Sequence, residues 1–166
     1  MSSGVRLGPL DPAHRDQLEA IVRATDVFAE DEVAVALELF DDAISGGPDY
    51  EFIGAFERDN LIGYACFGAT PSTDNTFDLY WIAVNPSVQR SGAGGLLMSE
   101  VERRLQQRRA RLLVVETSSR ADYAPTRRFY QKRGYEQAAQ LRDYYARGDD
   151  RVVLTKHLAP TLHERS

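Results

Sequence analysis

The sequence predicts an α/β (α+β) chain in which a mixed, mostly antiparallel sheet is covered by helices. About seven short segments rich in aromatic and branched residues alternate with four amphipathic stretches, in the order β-α-α-β-β-β-α-β-α-β-β. Antiparallel pairs are expected early and late, around one β-α-β unit. With 166 residues, 43% hydrophobic and 27% charged, the chain fits one globular domain, residues 1–166, able to bury a real core.

The first strand spans Val5 to Pro9. Asp11 followed by Pro12 then opens a helix, because proline is tolerated where its missing N–H would have no partner anyway. Leu18, Ile21 and Val22 give that helix an apolar stripe, and it runs to about Ala24. A second helix, about Asp31 to Ile44, carries Val33, Ala36, Leu37 and Phe40 before "SGGPD" stops it. Tyr50–Glu57 and Leu61–Ala69, joined by "RDN", read as a β-hairpin. Thr76–Val84 is a third strong strand. The next helix is expected from near Gly92 to near Arg109, with Leu97, Val101 and Leu105 on one face. Arg111–Glu116 follows as a strand, and a short helix with Pro125 near its start ends at Gly134. Two closing strands, about Glu136–Arg142 and Arg151–Leu158, flank the polar turn "RGDD".

Composition excludes several functions. A formal net charge of -5 argues against a general nucleic-acid binder, which needs clustered basic side chains for phosphates. The run Arg103–Arg111 interleaves with Leu105 at helical spacing and has no aromatics for stacking, so it reads as a solvated helix face. Cys66 is the one cysteine, in the apolar run "LIGYACFGA", which points to a buried structural thiol, no disulfide and a reducing, cytoplasmic setting. His14, His157 and His163 lack metal-ligand spacing, and no metal is expected. No segment is long and apolar enough to span a bilayer, and the start of the chain lacks the pattern of a secretion signal.

Chemistry gathers at "VNPSVQRSGAGGLLM", Val84–Met98, where a strong strand hands over to a helix. Three glycines in four residues weaken a helix start by up to about 1 kcal/mol each, so a reason for them is needed. A helix N-terminus offers unpaired N–H groups and partial positive charge, and glycines let an anion approach the backbone. A phosphate-binding P-loop requires G-K-[ST], and here Gly94 is followed by Gly95 and Leu96. A dinucleotide fingerprint would need a small residue at Leu97 and a first glycine directly after the strand, where "NPSVQRS" intervenes.

Gln89, Gly92 and Gly94 spell Q-x-x-G-x-G, which resembles the pyrophosphate loop of the GCN5-related N-acetyltransferase (GNAT) superfamily. "DLYWIAV" resembles that superfamily's central strand, and "APTRRFYQKRGY", Ala124–Tyr135, its later motif A-x-x-x-x-[FL]-Y-x-x-x-G-[FY]. The resemblance covers essentially the whole chain. It implies a GNAT-type sheet with acetyl-CoA as cofactor. The coenzyme A pyrophosphate would be held by backbone N–H groups of Gln89, Arg90, Ser91, Gly92, Ala93, Gly94 and Gly95. The pantetheine arm would pair with the main chain of Ile82, Ala83 and Val84.

The same resemblance makes Tyr130 the general acid beside the thioester sulfur, a role that suits a phenol able to donate a proton as the thiolate leaves. Attack requires a neutral amine, and a lysine ε-amine, with a pKa near ~10.4, is almost wholly protonated at neutral pH. Two carboxylates are candidate bases. Asp78, on the central strand, resembles the glutamate base of histone-type members, although its side chain is shorter. Glu116 resembles the acid after the fifth strand of ribosomal-protein N-terminal acetyltransferases. Tyr80 shares Asp78's strand face and is expected to line the acceptor pocket. Tyr144 and Tyr145 resemble the paired tyrosines of N-terminal acetyltransferases, or else form a cross-strand pair that steadies a hairpin. The expected acceptor is a small-molecule or amino-acid-like primary amine, with a protein N-terminus or lysine second. A homodimer is possible. A non-catalytic acyl-CoA sensor is the alternative from another class.

Overall fold

Apolar residues at every second position and tight turns between them build seven strands, and 3.6-residue periodicity builds four helices. In the computed structural model, which describes residues 4–158 with the side chain of Arg90 excepted, the strands are β1 (Val5–Gly8), β2 (Glu51–Glu57), β3 (Asn60–Ala69), β4 (Thr76–Val84), β5 (Leu112–Ser118), β6 (Glu136–Ala146) and β7 (Asp149–His157). The helices are α1 (Arg15–Ala24), α2 (Glu30–Ile44), α3 (Ala93–Gln107) and α4 (Ala124–Lys132). The sheet order is β1-β2-β3-β4-β5-β7-β6, with β4–β5 a parallel pair. His163 lies outside the described residues.

The chain gathers into two compact units, with the change of unit on β4 falling between Leu79 and Tyr80. The first holds residues up to Ala69 and Tyr80–Leu105. Its core is the apolar stripe of α1 (Leu18, Ile21, Val22) and that of α2 (Val33, Ala36, Phe40), packed with Phe56, Leu61, Tyr64, Cys66 and Ala83. Each Val, Leu, Ile or Phe among them contributes about 1.5–3 kcal/mol through the water it leaves. Asp11 caps not α1 itself but a 3₁₀ turn, Pro12–His14, that leads into it: its carboxylate accepts from the Ala13 N–H at 2.8 Å while His14 Nδ1 accepts from the Asp11 N–H at 3.0 Å. Cys66 is fully buried, and that burial pushes its thiol well above its ordinary range, as expected of a structural thiol.

The second unit holds Thr70–Leu79 and the chain from Gln106. β5 runs parallel to β4 from Thr76↔Leu112 to Leu79↔Val115 and antiparallel to β7 from Leu112↔His157 to Ser118↔Arg151. The closing hairpin is longer than its sequence suggests. β6 continues to Ala146 and β7 begins at Asp149, because the β6–β7 register is broken between Leu141 and Ala146 and residues 142–145 bulge out without losing the strand. Asp143, at φ +55°, anchors that bulge: its N–H donates to Asp150 Oδ1 and its Oδ1 accepts from Gly148 N–H.

Candidate active site

β4 leads into the glycine turn in the first unit. Asn85 closes the strand, donating its N–H to Ile62 O at 2.8 Å and accepting at Oδ1 from Ser87 N–H. Pro86–Ser91 then form a short 3₁₀ segment interrupted at Val88. Gly92 reverses the chain in the left-handed region, φ +84°, which is why a glycine stands there. α3 begins at the next residue, one later than its glycines suggest, and Ser91 Oγ accepts from Ala93 N–H at 3.2 Å. The N–H groups of Gly94 and Gly95 belong to the first turn of α3, where no helical carbonyl lies behind them. A Cβ added at Gly92 would meet nothing within 4 Å, so the turn's outer side is open. Gln89 is exposed beside it, and Ala93 is buried against the core.

β4 presents two faces. Phe77, Leu79 and Ala83 are buried, whereas Asp78, Tyr80, Ile82 and Val84 on the other face are half-buried. The strand runs on through Tyr80–Val84 after its last pair with β5, Leu79↔Val115. Tyr80 meets Tyr50 edge-on at 5.1 Å. Gly68 lacks the Cβ that would collide with the Asp49 carbonyl and crowd the Tyr80 ring.

In the second unit the register puts both candidate acids on one sheet face. Asp78 pairs with Val114, and Glu116 lies two residues further along β5 with the same orientation. Their surroundings differ. Thr70 Oγ1 donates to Asp78 Oδ2 at 2.6 Å, and Asp78 Oδ1 accepts from no described residue. Glu116 is ion-paired to Arg151, which the β5–β7 register brings to the same face. That guanidinium also sits 5.0 Å from the ring centre of Tyr144. Tyr145 packs edge-on against Tyr144 at 5.0 Å; burial first, then the Glu116 carboxylate, raises its phenol above the ordinary value. Glu116, Tyr144 and Tyr145 thus come together, with Arg151 as a member that no motif flagged. Only strand register, 35 residues apart in sequence, could have found it.

Tyr130 is 3% exposed, on the buried side of α4, between Phe129 (5.4 Å) and Tyr135 (5.6 Å). Its hydroxyl donates to no described residue. Burial alone raises its phenol well above the ordinary value, so the group stays protonated. The helix carrying it is held from below: Arg127 Nη1 donates to Ser118 O at 2.6 Å and to Arg120 O at 2.9 Å. Among the described residues no group of three or more His, Cys, Asp or Glu side chains is arranged to hold a metal, and no helix is long and apolar enough to cross a membrane.

Comparison with known proteins agrees with this geometry. The model of the acetyltransferase (GNAT) family matches residues 15–135. No curated protein matches the chain. Among solved structures, a GNAT-family protein from Desulfovibrio desulfuricans is 41% identical, with 93% of this chain and 98% of that one covered at a TM-score of 0.87. The ribosomal-protein-S18-alanine N-acetyltransferase of Escherichia coli shares the fold at 20% identity, 93% and 94% coverage and a TM-score of 0.74. So does the PaiA N-acetyltransferase of Thermoplasma acidophilum, solved in complex with coenzyme A, at 17% identity, 92% and 98% coverage and a TM-score of 0.70.

Proposed function

We propose that this chain, which belongs to the GNAT family of acetyltransferases, is one catalytic domain that moves an acetyl group from acetyl-CoA directly to a primary amine of a small or amino-acid-like molecule. The observation that carries the reading is the turn at Gly92, a left-handed glycine with open space outside it, delivering the first-turn N–H groups of α3. Such donors suit a diphosphate. The Tyr80–Val84 main chain, continuing past its last β5 pair, suits an extended amide-bearing arm that adds as a strand.

Acetyl-CoA, when bound, supplies an activated acetyl group and a thiolate leaving group. Asp78 takes the proton of the attacking amine, directly or through a water that makes up for its short side chain. Tyr130 acts on the leaving group. Its raised phenol is a weaker acid than a thiol, whose pKa is about 8.5. It therefore serves by donating a hydrogen bond to sulfur and stays protonated through the step. Glu116, engaged by Arg151, shapes the acceptor end together with Tyr144 and Tyr145. A protein N-terminus is the second acceptor class, favoured by that exposed tyrosine pair. The setting is cytoplasmic. Any homodimer would form along edge strand β6, exposed along all 11 residues.

Calorimetric titration of CoA, followed by thiol release from acetyl-CoA with tyramine, spermidine, glucosamine and trialanine, tests the reading. Heat on titration and amine-dependent release are expected. Binding without release would favour a sensor, and no heat at all would end the enzyme assignment.

A further inference from the structure

We propose that Thr70 is the positioning residue for the Asp78 carboxylate: its hydroxyl fixes one oxygen and leaves the other facing the amine. This deepens the proposed function and rests on Asp78 as base. The contact joins the two ends of the β3–β4 turn. Thr70 Oγ1 donates to Asp78 Oδ2 at 2.6 Å, partly buried, and is the hydrogen-bond donor this carboxylate has among the described residues. A hydroxyl has a single proton, and here it is committed to the carboxylate.

The hydroxyl itself is held. Thr70 N–H donates to Thr76 O at 2.8 Å, and Thr73 Oγ1 donates to Thr70 O at 2.8 Å while accepting from Thr76 N–H at 3.3 Å. Asn75 Nδ2 ties the turn to Arg108 O and Arg109 O at 2.9 and 2.7 Å. β-branching restricts the Thr70 side chain further. The other charges of the turn answer one another, Arg111 lying 3.6 Å from the Asp74 carboxylate. On the shared sheet face, Glu116 is engaged by Arg151. The consequence for Asp78 is geometric: with Oδ2 held by Thr70, its Oδ1 has a fixed direction.

The test compares wild type with Thr70→Val, Thr70→Ser and Asp78→Asn. In the protein without substrate, the Asp78 carboxyl carbon is observed by NMR at a fixed pH in ¹³C-aspartate-labelled protein, with Asp78→Asn identifying the signal. Turnover is measured with the fastest amine among tyramine, spermidine, glucosamine and trialanine. Thr70→Val is expected to shift the Asp78 resonance, which loses its hydrogen-bond donor, and to lower kcat about tenfold with KM for acetyl-CoA within twofold. Thr70→Ser, which keeps the donor, is expected to restore both. An Asp78 resonance and a kcat in Thr70→Val equal to those of wild type would overturn the proposal. If Thr70→Val disturbs the turn, seen as a lowered melting temperature, Thr70→Ala replaces it with the same expectations. Full turnover in Asp78→Asn would instead overturn Asp78 as base, and the Asp78 resonance would still show whether Thr70 engages that carboxylate.

Discussion

Replacing Tyr130 by Phe removes one oxygen and leaves the ring where it is. The contacts that hold the ring, Phe129 at 5.4 Å and Tyr135 at 5.6 Å, involve carbon faces and edges that phenylalanine retains. The lost hydroxyl donates to no described residue, so its removal orphans no buried partner and folding stability should change by less than about 1 kcal/mol. Catalysis is different. A positioned proton donor contributes about 10²–10⁴ in rate. Because burial raises the Tyr130 phenol, proton transfer to sulfur is uphill and the gain belongs to the lower end of that range. We expect kcat to fall about a hundredfold, equivalent to about 2.7 kcal/mol of barrier, with the CoA dissociation constant within twofold and an unchanged melting temperature. Thiol-release kinetics and calorimetry measure these quantities. A raised phenol also means that wild-type turnover should not decline between pH 8 and 10 through loss of this proton. Turnover in Tyr130→Phe within threefold of wild type would remove the residue from the mechanism, and a loss matched by weakened CoA binding would make it a packing residue.

At Gly92, alanine meets no atom within 4 Å, so its cost is the left-handed backbone at φ +84°, about 1–2 kcal/mol. Gly92→Ala should show this as a lower melting temperature or weaker CoA binding in calorimetry, and Gly92→Asn should suffer less, since asparagine visits that region. Tyr144→Ala and Tyr145→Ala should raise KM for the amine several-fold and leave CoA affinity unchanged; a rise in the CoA dissociation constant alone would move the pair away from the acceptor. Glu100, paired with Arg103 and Arg104 on α3, is held down to about 2. A depressed carboxylate adds stability above its unfolded value near 4.5 and loses it as pH falls toward 2. Glu100→Gln should therefore cost about 1 kcal/mol at pH 7, after allowance for solvent screening. In urea unfolding, the gap to wild type should close as pH is lowered from 4.5 toward 2; a gap constant across that range would refute the assignment.

Elements set by local periodicity were legible in the sequence. The α1 stripe at Leu18, Ile21 and Val22 and the buried face of α3 at Leu97, Val101 and Leu105 stand where helical spacing put them. The glycine turn was legible because three helix-weakening residues within four positions demand a cause. The end of β6 was not. Its last residues, RDYYA, show no apolar alternation, every residue is exposed, and its continuation depends on a bulge held by Asp143 and Asp150, which propensity does not encode. Within the candidate site, Tyr130 was named by its motif, whereas Thr70 and Arg151 were not, since each acts through strand register. Thr70 had one faint signal: a threonine at the mouth of a hairpin whose other limb carries an acid.

The two acids show why residue type alone left the base undecided. Asp78 and Glu116 share a sheet face and are equally carboxylic, so sequence treats them alike. What separates them is the partner each has found. A threonine hydroxyl is neutral, occupies one oxygen and leaves the charge of Asp78 available to attract the proton of an amine. A guanidinium has already answered the charge of Glu116. The partners also differ in what they gather: Arg151 pairs with Glu116 while its guanidinium lies 5.0 Å from the ring centre of Tyr144, so Glu116 belongs to a cluster of charge and ring. Under the proposed function that cluster borders the acceptor, and Asp78, with one oxygen engaged by no described residue, is the acid proposed as base.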